Sequence, residues 1–406
     1  MKHLRAACAV ALTGSGAQAA QVLHVSQSAV VRSVAALEQA LHMVLFDRSS
    51  KGMQATPSFQ QLLTRCDRAF QHLAIAPARK SSATPLQDWM RCRFALGVGE
   101  RHLRVLLSLS QTASETRTAQ ALGVSQSAVH QTLVQAEHLS ARPLFTRSRQ
   151  FGLRITEFGE FVLLKCKLCL SEFEQADQVL ASWSGQVRGR LVIGTLPFST
   201  GSLLSKVVDR VMHALPGLQI TVIDGTYDAL MQQLRQADID VVLGALREQF
   251  DQPGLMQEGL FVDQLAVVAR SQHPLLRKKS LRWQDLRDYP WVMPMRNTPA
   301  QSVFDKTLRR AGLKPPRAEL RVNSALMMQS LLLESDRLAM MSPRQIQPEL
   351  AAQQMAVLPL PLTHAERKIG LVRRADLLLT PAMQHLLSAC HAVAREIPSN
   401  TPDLHR

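Results

Sequence analysis

Hydrophobic positions fall at helical spacing through roughly the first 180 residues and change to a strand and helix alternation after Arg188. Leu103, Leu106, Leu107 and Leu109 mark an amphipathic helix, and residues 116–122 form a short second one that stops at Gly123, where a left-handed turn costs nothing. Ser125 is a natural N-cap for a third helix with Ala128, Val129, Leu133 and Ala136 on its inner face. A helix, a tight turn and a Ser-capped helix predict a helix-turn-helix. Residues 158–179 continue as one long amphipathic helix, with a counterpart at 59–73. Farther on, strands are predicted at 190–194, 219–223 and 239–243, with helices at 202–213 and 227–236 between them. Segments 265–269, 291–293, 302–311, 319–322, 326–333 and 338–341 repeat the alternation, and 357–358, 369–372 and the helix 381–394 close it. This half reads as an α/β fold with largely parallel pairing.

The helical half contains the same unit twice. Val25-Ser26-Gln27-Ser28-Ala29-Val30 recurs as Val124-Ser125-Gln126-Ser127-Ala128-Val129, an offset of 99. About 19 of the 47 positions from 3 to 49 are identical at that offset, among them Glu38 with Glu137, Leu45-Phe46 with Leu144-Phe145 and Arg48-Ser49 with Arg147-Ser148. A one-residue insertion then aligns Gly52 with Gly152 and Thr56 with Thr156. Each third helix keeps short polar groups outward: Ser26, Gln27, Ser28 and Arg32 in copy one, and Ser125, Gln126, Ser127, His130 and Gln131 in copy two. Hydroxyls, amides and an Arg are the groups that hydrogen-bond base edges and phosphates in a major groove. A basic loop follows each, with Arg48 and Lys51 in one copy and Arg147 and Arg149 in the other, and reads as a wing laid along the phosphates. The alternative is that these helices only pack or dimerise.

Charge supports the first reading. Lys and Arg number 47 against 32 Asp and Glu. Residues 1–156 hold 18 basic and 7 acidic side chains, a net +11, whereas the remainder nets only +4. A basic front end beside a near-balanced remainder points to a polyanion, double-stranded DNA before an anionic membrane.

The runs Ala119-Gln120-Ala121-Leu122-Gly123-Val124, Leu144-Phe145-Thr146-Arg147 and Leu153-Arg154-Ile155-Thr156, with their copy-one counterparts Ala20-Gln21-Val22-Leu23-His24-Val25 and Leu45-Phe46-Asp47-Arg48, resemble the winged DNA-binding domain of LysR-type transcriptional regulators. The resemblance covers nearly the whole chain, with one large departure: the family commonly has one such domain and this chain has two. A Ser-Arg pair commonly follows the Ala-Val of the family's recognition helix; here copy one has Val31-Arg32 and copy two His130-Gln131. Which copy reads bases stays open, the alternative being that one of them serves assembly alone.

The resemblance implies two all-α winged helix-turn-helix domains followed by an α/β two-lobed effector domain like the type II periplasmic-binding-protein fold. The expected boundaries are 1–76, a linker at 77–98 with its joint at 77–85, 99–187, and 188–397, with lobe I at about 188–262 and 346–397 and lobe II at about 263–345. Ligands of such folds sit between the lobes, near strand C-termini and helix N-termini. That rule selects Thr195, Pro197, Ser199 and Thr200 after the first strand, Asn297-Thr298 and Asn323-Ser324 as helix caps in the second lobe, and Gly225, Thr226 and Gly244 on the first lobe's rim. Those at 195–200 and the pairs Asn297-Thr298 and Asn323-Ser324 have the alternative reading of simple caps, and the rim residues are the weaker candidates. The expected ligand is an organic acid or a sugar, and its binding would shift the lobes and the spacing or bend of bound DNA. The resemblance further implies a homo-oligomer, dimer or tetramer, and RNA polymerase as a partner.

Other classes find little support. The longest apolar runs are far shorter than the roughly 18 residues of a membrane span, and residues 6–12 do not read as a signal peptide, so a cytoplasmic protein is expected. No G-x-S-x-G, H-E-x-x-H or P-loop is present, and Gly97-Val98-Gly99 stops short of a nucleotide fingerprint, which argues against an enzyme. The 13 histidines show no ligand spacing, and Cys166 and Cys169 lack a second ligand pair, so no metal or cofactor is expected and the thiols read as helix packing. A cytoplasmic small-molecule-binding protein that does not read DNA is the alternative from another class.

Overall fold

The computed structural model describes residues 1–49, 52–75, 87–148, 152–183, 188–197, 202–314, 320–360, 362 and 365–397. They divide into two compact units, Met1–Gln186 and Val187–Arg406.

The first unit contains both copies of the repeat. Copy one runs α1 (Lys2–Thr13), α2 (Gly16–Leu23), α3 (Gln27–Leu41), the hairpin β1 (Phe46–Ser49) and β2 (Gly52–Ala55), then α4 (Pro57–His72). A 3-10 turn at Asp88–Arg91 and α5 (Arg93–Gly97) precede copy two: α6 (Glu100–Thr112), α7 (Glu115–Leu122), α8 (Gln126–Ser140), the hairpin β3 (Phe145–Ser148) and β4 (Gly152–Ile155), and α9 (Glu157–Trp183).

The repeated residues do the same work in both copies. Ser26 caps α3 by accepting from the Ala29 amide at 3.3 Å, and Ser125 caps α8 by accepting from Ala128 at 3.2 Å. The Glu38 carboxylate accepts from the Leu45 amide at 2.9 Å and Glu137 from Leu144 at 2.8 Å, so each tethers its hairpin to the end of its third helix. Gly52 and Gly152 have φ of +121° and +72°, and a Cβ there would lie 2.7 Å from the Gly14 carbonyl oxygen and 3.0 Å from that of Ala113. Only glycine lets the hairpin approach the end of the first helix so closely.

The two copies are not separate beads. One hydrophobic core runs from Ala6 through Phe70, Trp89 and Leu103 to Ala176. Helix α4 packs along α9, where Phe70 meets Phe173 edge-on at 5.4 Å. Arg65 donates to Gln175 at 2.7 Å, and Arg68 pairs with Glu172 at 3.0 Å. From α1, the buried Arg5 donates to the Val98 carbonyl at 2.8 Å and lies 5.1 Å over the Phe70 ring; burial pulls its guanidinium down to about 10. Of the expected linker, residues 77–86, with the joint 77–85, lie outside the described residues. Residues 87–98 are folded: Trp89 and Phe94 are buried, and the Trp89 indole donates to Asp67 at 2.7 Å.

The second unit holds two five-stranded sheets. The first orders β6 (Leu218–Asp224), β5 (Gly189–Thr195), β7 (Val241–Ala245), β14 (Glu366–Arg374) and β8 (Leu255–Gln264). The second orders β11 (Leu320–Arg321), β10 (Trp291–Met293), β12 (Leu338–Met341), β9 (Ala266–Arg270) and β13 (Met355–Val357). Helices α10 (Ser202–Ala214), α11 (Tyr227–Arg235), α12 (Pro299–Arg310), α13 (Ala325–Leu333), α14 (Gln347–Ala351) and α15 (Pro381–Glu396) complete it. The expectation of largely parallel pairing needs correcting. β5 pairs parallel with β6 and β7, and β10 with β11 and β12, but β14, β8, β9 and β13 all pair antiparallel. The chain crosses between sheets at β8 to β9 and again between β13 and β14, and a strand that crosses between sheets returns against its neighbours. The second crossing falls after residue 357 rather than near 346, because β13 stays in the second sheet, paired with β9.

Candidate functional sites

The helix-turn-helix faces follow from capping. Because Ser26 and Ser125 end the turns and start α3 and α8, Gln27, Ser28, Gln126 and Ser127 stand in the first turns, all exposed. Ser26 and Ser28 share a hydrogen bond of 3.1 Å, and Ser125 and Ser127 one of 3.0 Å. One turn on, Val31 and Arg32 are exposed on α3, and His130 and Gln131 on α8. Arg48 lies on β1 opposite Met53, while Lys51 and Arg149 lie outside the described residues.

The copies differ in one charged cluster. The buried Glu115 carboxylate receives His130 Nδ1 at 3.2 Å and Arg147 at 3.0 Å through the same oxygen. Copy one has Gly16 at the equivalent place, and Arg32 has no ion pair among the described residues. Sequence reasoning missed Glu115, although its offset from a glycine in the other copy was the available signal.

The second unit has a cleft of about 610 Å³ between its sheets, lined by Pro197, Gly225, Thr226, Asn297, Thr298 and Asn323 among others. It adjoins a wider opening that also reaches Thr195 and Ser324. Three helices begin here. Thr226 caps α11 by accepting from Ala229 at 3.4 Å, Thr298 caps α12 from Gln301 at 3.2 Å, and Ser324 caps α13 from Met327 at 3.3 Å. Capping and lining the cleft are therefore compatible roles, since each cap sits at the positive end of its helix. Asn297 supports the turn before α12 in the left-handed region, φ +57°. Gly244 is not among the lining residues. It lies behind Leu196, where a Cβ would come within 2.6 Å of that side chain. Ser199 and Thr200 lie outside the described residues.

Several lining residues were not anticipated. Arg247, two positions past β7, stacks 4.4 Å over the Tyr227 ring and donates to the Asn297 carbonyl on the opposite lobe. Burial pushes the Tyr227 hydroxyl up, so it stays a neutral donor. Met328, Met340, Met341 and Val292 supply an apolar wall, and Asp228 and Asp251 stand among the lining groups with Arg247 and Arg296. At the crossing strands, Asp263 accepts from Arg367 at 2.9 Å and from the Ser342 hydroxyl at 2.7 Å. Burial lowers the Arg367 pKa, and Asp263 opposes that. These two charges sit opposite one another on β8 and β14, at the strands that join the lobes.

Among the described residues no group of three His, Cys, Asp or Glu is placed to hold a metal. Burial pushes the Cys166 thiol up to about 12 and the Cys169 thiol well above its ordinary value, so the pair are protonated packing groups. No helix among the described residues is long and apolar enough to cross a membrane.

Comparison with known proteins agrees with this architecture. The "LysR substrate binding domain" family matches residues 184–395. The family "Bacterial regulatory helix-turn-helix protein, lysR family" matches twice, at 1–58 and 100–160. The chain is 31% identical over 398 residues to the HTH-type transcriptional regulator GalR of Pseudomonas putida, spanning 98% of both chains. It is 25% identical to PcaQ of Agrobacterium fabrum, over 73% of this chain and 95% of that one. The first alignment leaves room for both helix-turn-helix copies and the second for one. Among solved structures, a full-length OxyR variant from Pseudomonas aeruginosa has a TM-score of 0.57 at 18% identity, covering 75% of this chain and 99% of that one. Full-length CbnR complexed with its target DNA has a TM-score of 0.54 at 17% identity, covering 73% and 100%. With its effector-domain match, its doubled helix-turn-helix match and a full-length relative, the chain belongs to the LysR family of DNA-binding transcriptional regulators.

Proposed function

We propose that a small organic acid held between the lobes controls duplex binding by the two Ser-Gln-Ser helices. The observation that carries the effector class is the meeting of three capped helix N-termini at one cleft, where each brings free amides and a partial positive charge. Arg247 adds a full charge, already bridging the lobes through the Asn297 carbonyl. An acid exchanging with that carbonyl would tie both lobes to one ligand, whereas a sugar would gain the hydroxyl and amide contacts without the electrostatics. The methionine and valine wall favours an acid with an apolar body. On the DNA side, Gln27, Ser28, Arg32, Gln126, Ser127, His130 and Gln131 are assigned to bases or phosphates, and Arg48, Lys51, Arg147 and Arg149 to the flanking phosphates. Family architecture supports a dimer or tetramer and a contact with RNA polymerase.

The test is a thermal-shift screen of small carboxylates and sugars on the full chain, followed by gel-shift titration of a duplex with each hit. Stabilisation by a carboxylate that also changes the DNA affinity supports the assignment. Stabilisation by neutral sugars alone would remove the acid from it.

A further inference from the structure

In this fold the recognition helices belong to one chain, joined by a shared core, and their faces differ. We infer that a single chain reads two unlike half-sites, so that its operator element is not palindromic. This rests on the DNA-binding reading above and adds which bases distinguish the halves.

Three observations carry it. First, α4 and α9 join the copies through Arg65, Arg68, Glu172 and Gln175 and the Phe70 to Phe173 contact, in the same core that holds α1. The pair is therefore one packed two-headed unit rather than two domains on a tether. Second, the first turns of α3 and α8 are the same, Gln-Ser after a Ser cap, with the same Ser to Ser hydrogen bond. Groups held alike make like contacts, so the two half-sites share the bases or phosphates met there. Third, the next turn differs in chemistry. Val31 and Arg32 offer a methyl surface suited to thymine and a guanidinium suited to guanine O6 and N7 or to a phosphate. Copy two offers Gln131, an amide whose donor and acceptor match adenine N6 and N7, beside His130. Glu115 pairs with His130 through Nδ1 and with the Arg147 guanidinium, and copy one has Gly16 instead. Unlike groups in matching positions specify unlike bases.

The experiment is selection of binding duplexes from a random pool with the full-length protein, repeated with Arg32→Ala and Gln131→Ala. All three proteins are compared by thermal melting, and both altered side chains are exposed, so folding should be retained. The expected selected site has two half-sites with a common part and a differing part. Arg32→Ala relaxes one kind of half-site only and Gln131→Ala the other kind, each weakening binding to the wild-type site by about tenfold to a hundredfold. A site built of identical half-sites, every one of them relaxed by the same substitution, would overturn the inference while leaving DNA binding intact, whereas a dimer that repeats the unlike pair about a two-fold axis agrees with it. So would a site sensitive to Arg32→Ala and indifferent to Gln131→Ala, because copy two would then not read. Failure to enrich any duplex would overturn the DNA-binding reading itself.

Discussion

Replacing Glu172 with Ala tests whether the two copies are held together as described. The carboxylate is 7% exposed and faces Arg65, 5% exposed, at 3.8 Å and Arg68, 27% exposed, at 3.0 Å. Burial already lowers the Arg65 pKa, with Glu172 opposing that, so removing the acid leaves a poorly solvated cation. Removing one member of a buried ion pair costs about 3–5 kcal/mol. Arg65 keeps its bond to Gln175 and Arg68 swings toward water, which places the expected loss at the low end, about 3 kcal/mol. Arg65→Met combined with Glu172→Met should recover part of that loss, because an apolar pair removes the buried charges while Gln175 loses the donor it accepts from. Urea unfolding followed by fluorescence measures the change, with Trp89, buried against Phe70, one of the four tryptophans that report it. The single substitution should also weaken binding to a duplex with both half-sites more than to one with a single half-site. A shift below about 0.5 kcal/mol, the size of an ordinary surface change, would refute the buried seam.

The remaining predictions concern the second unit. Arg247→Ala should weaken the stabilising carboxylate by about tenfold to a hundredfold in thermal shift and leave ligand-free DNA binding intact, since the lost contact is a charge-assisted hydrogen bond; an unchanged response removes Arg247 from the site. Asp263→Asn should cost about 3–5 kcal/mol in denaturant unfolding, because the buried Arg367 would lose the carboxylate it pairs with on the crossing strands; a loss no larger than that of a surface substitution would show that the pair does not brace them. Burial lowers the His273 pKa below its ordinary value; its Nδ1 accepts from the Leu275 amide and its Nε2 donates to the Asp336 carbonyl, as a neutral ring. The unfolded chain therefore binds the proton first, and stability is full above about pH 6.5 and falls below it by at most about 1.4 kcal/mol per pH unit from this group. His273→Asn should flatten that slope in melts between neutral and mildly acidic pH, and an equally steep slope would exclude His273 as its source.

What could be read in advance depended on how local its cause is. The helices, their caps and the hairpins rest on residues within a turn or two of each other, and Ser26, Ser125, Thr298 and Ser324 all cap as their sequence context indicates. Long-range pairing was less legible. β8 breaks its apolar run at Gln257, Glu258 and Gly259, and nothing nearby marks that it pairs with β14 across a hundred residues. The same holds for the return between sheets, which depends on β13 meeting β9. In the cleft, the rule about strand ends and helix starts found the caps but not Arg247 or Tyr227, whose roles depend on the opposite lobe and on each other. The run Ala6-Ala7-Cys8-Ala9-Val10 carried a signal of its own. A helical run apolar all round is buried all round, as residues 6–10 of α1 are, whereas its counterpart α6 buries one stripe, Leu103, Val105, Leu106 and Leu109.

That asymmetry extends to the seam and decides which helix pairs with which. At the offset of 100 that aligns α4 with α9, Glu172 corresponds to His72, Phe173 to Leu73 and Gln175 to Ile75, while Arg65 corresponds to Lys165 and Phe70 to Leu170. Pairing α4 with another α4 would give the buried Arg65 no carboxylate from these positions, and pairing α9 with another α9 would leave Phe173 without Phe70. Only the unlike pair satisfies the buried Arg65 and the ring contact together, so pairing α4 with α4 is disfavoured by the cost of an uncompensated cation and pairing α9 with α9 by the lost ring contact. Covalent linkage adds the second argument, since a partner on the same chain is present at an effective concentration that a separate subunit does not reach in dilute solution. Once the two copies always meet each other, neither has to be complementary to itself. On the inference of two unlike half-sites, the differences between Val31-Arg32 and His130-Gln131 and between Gly16 and Glu115 would then alter one half-site at a time.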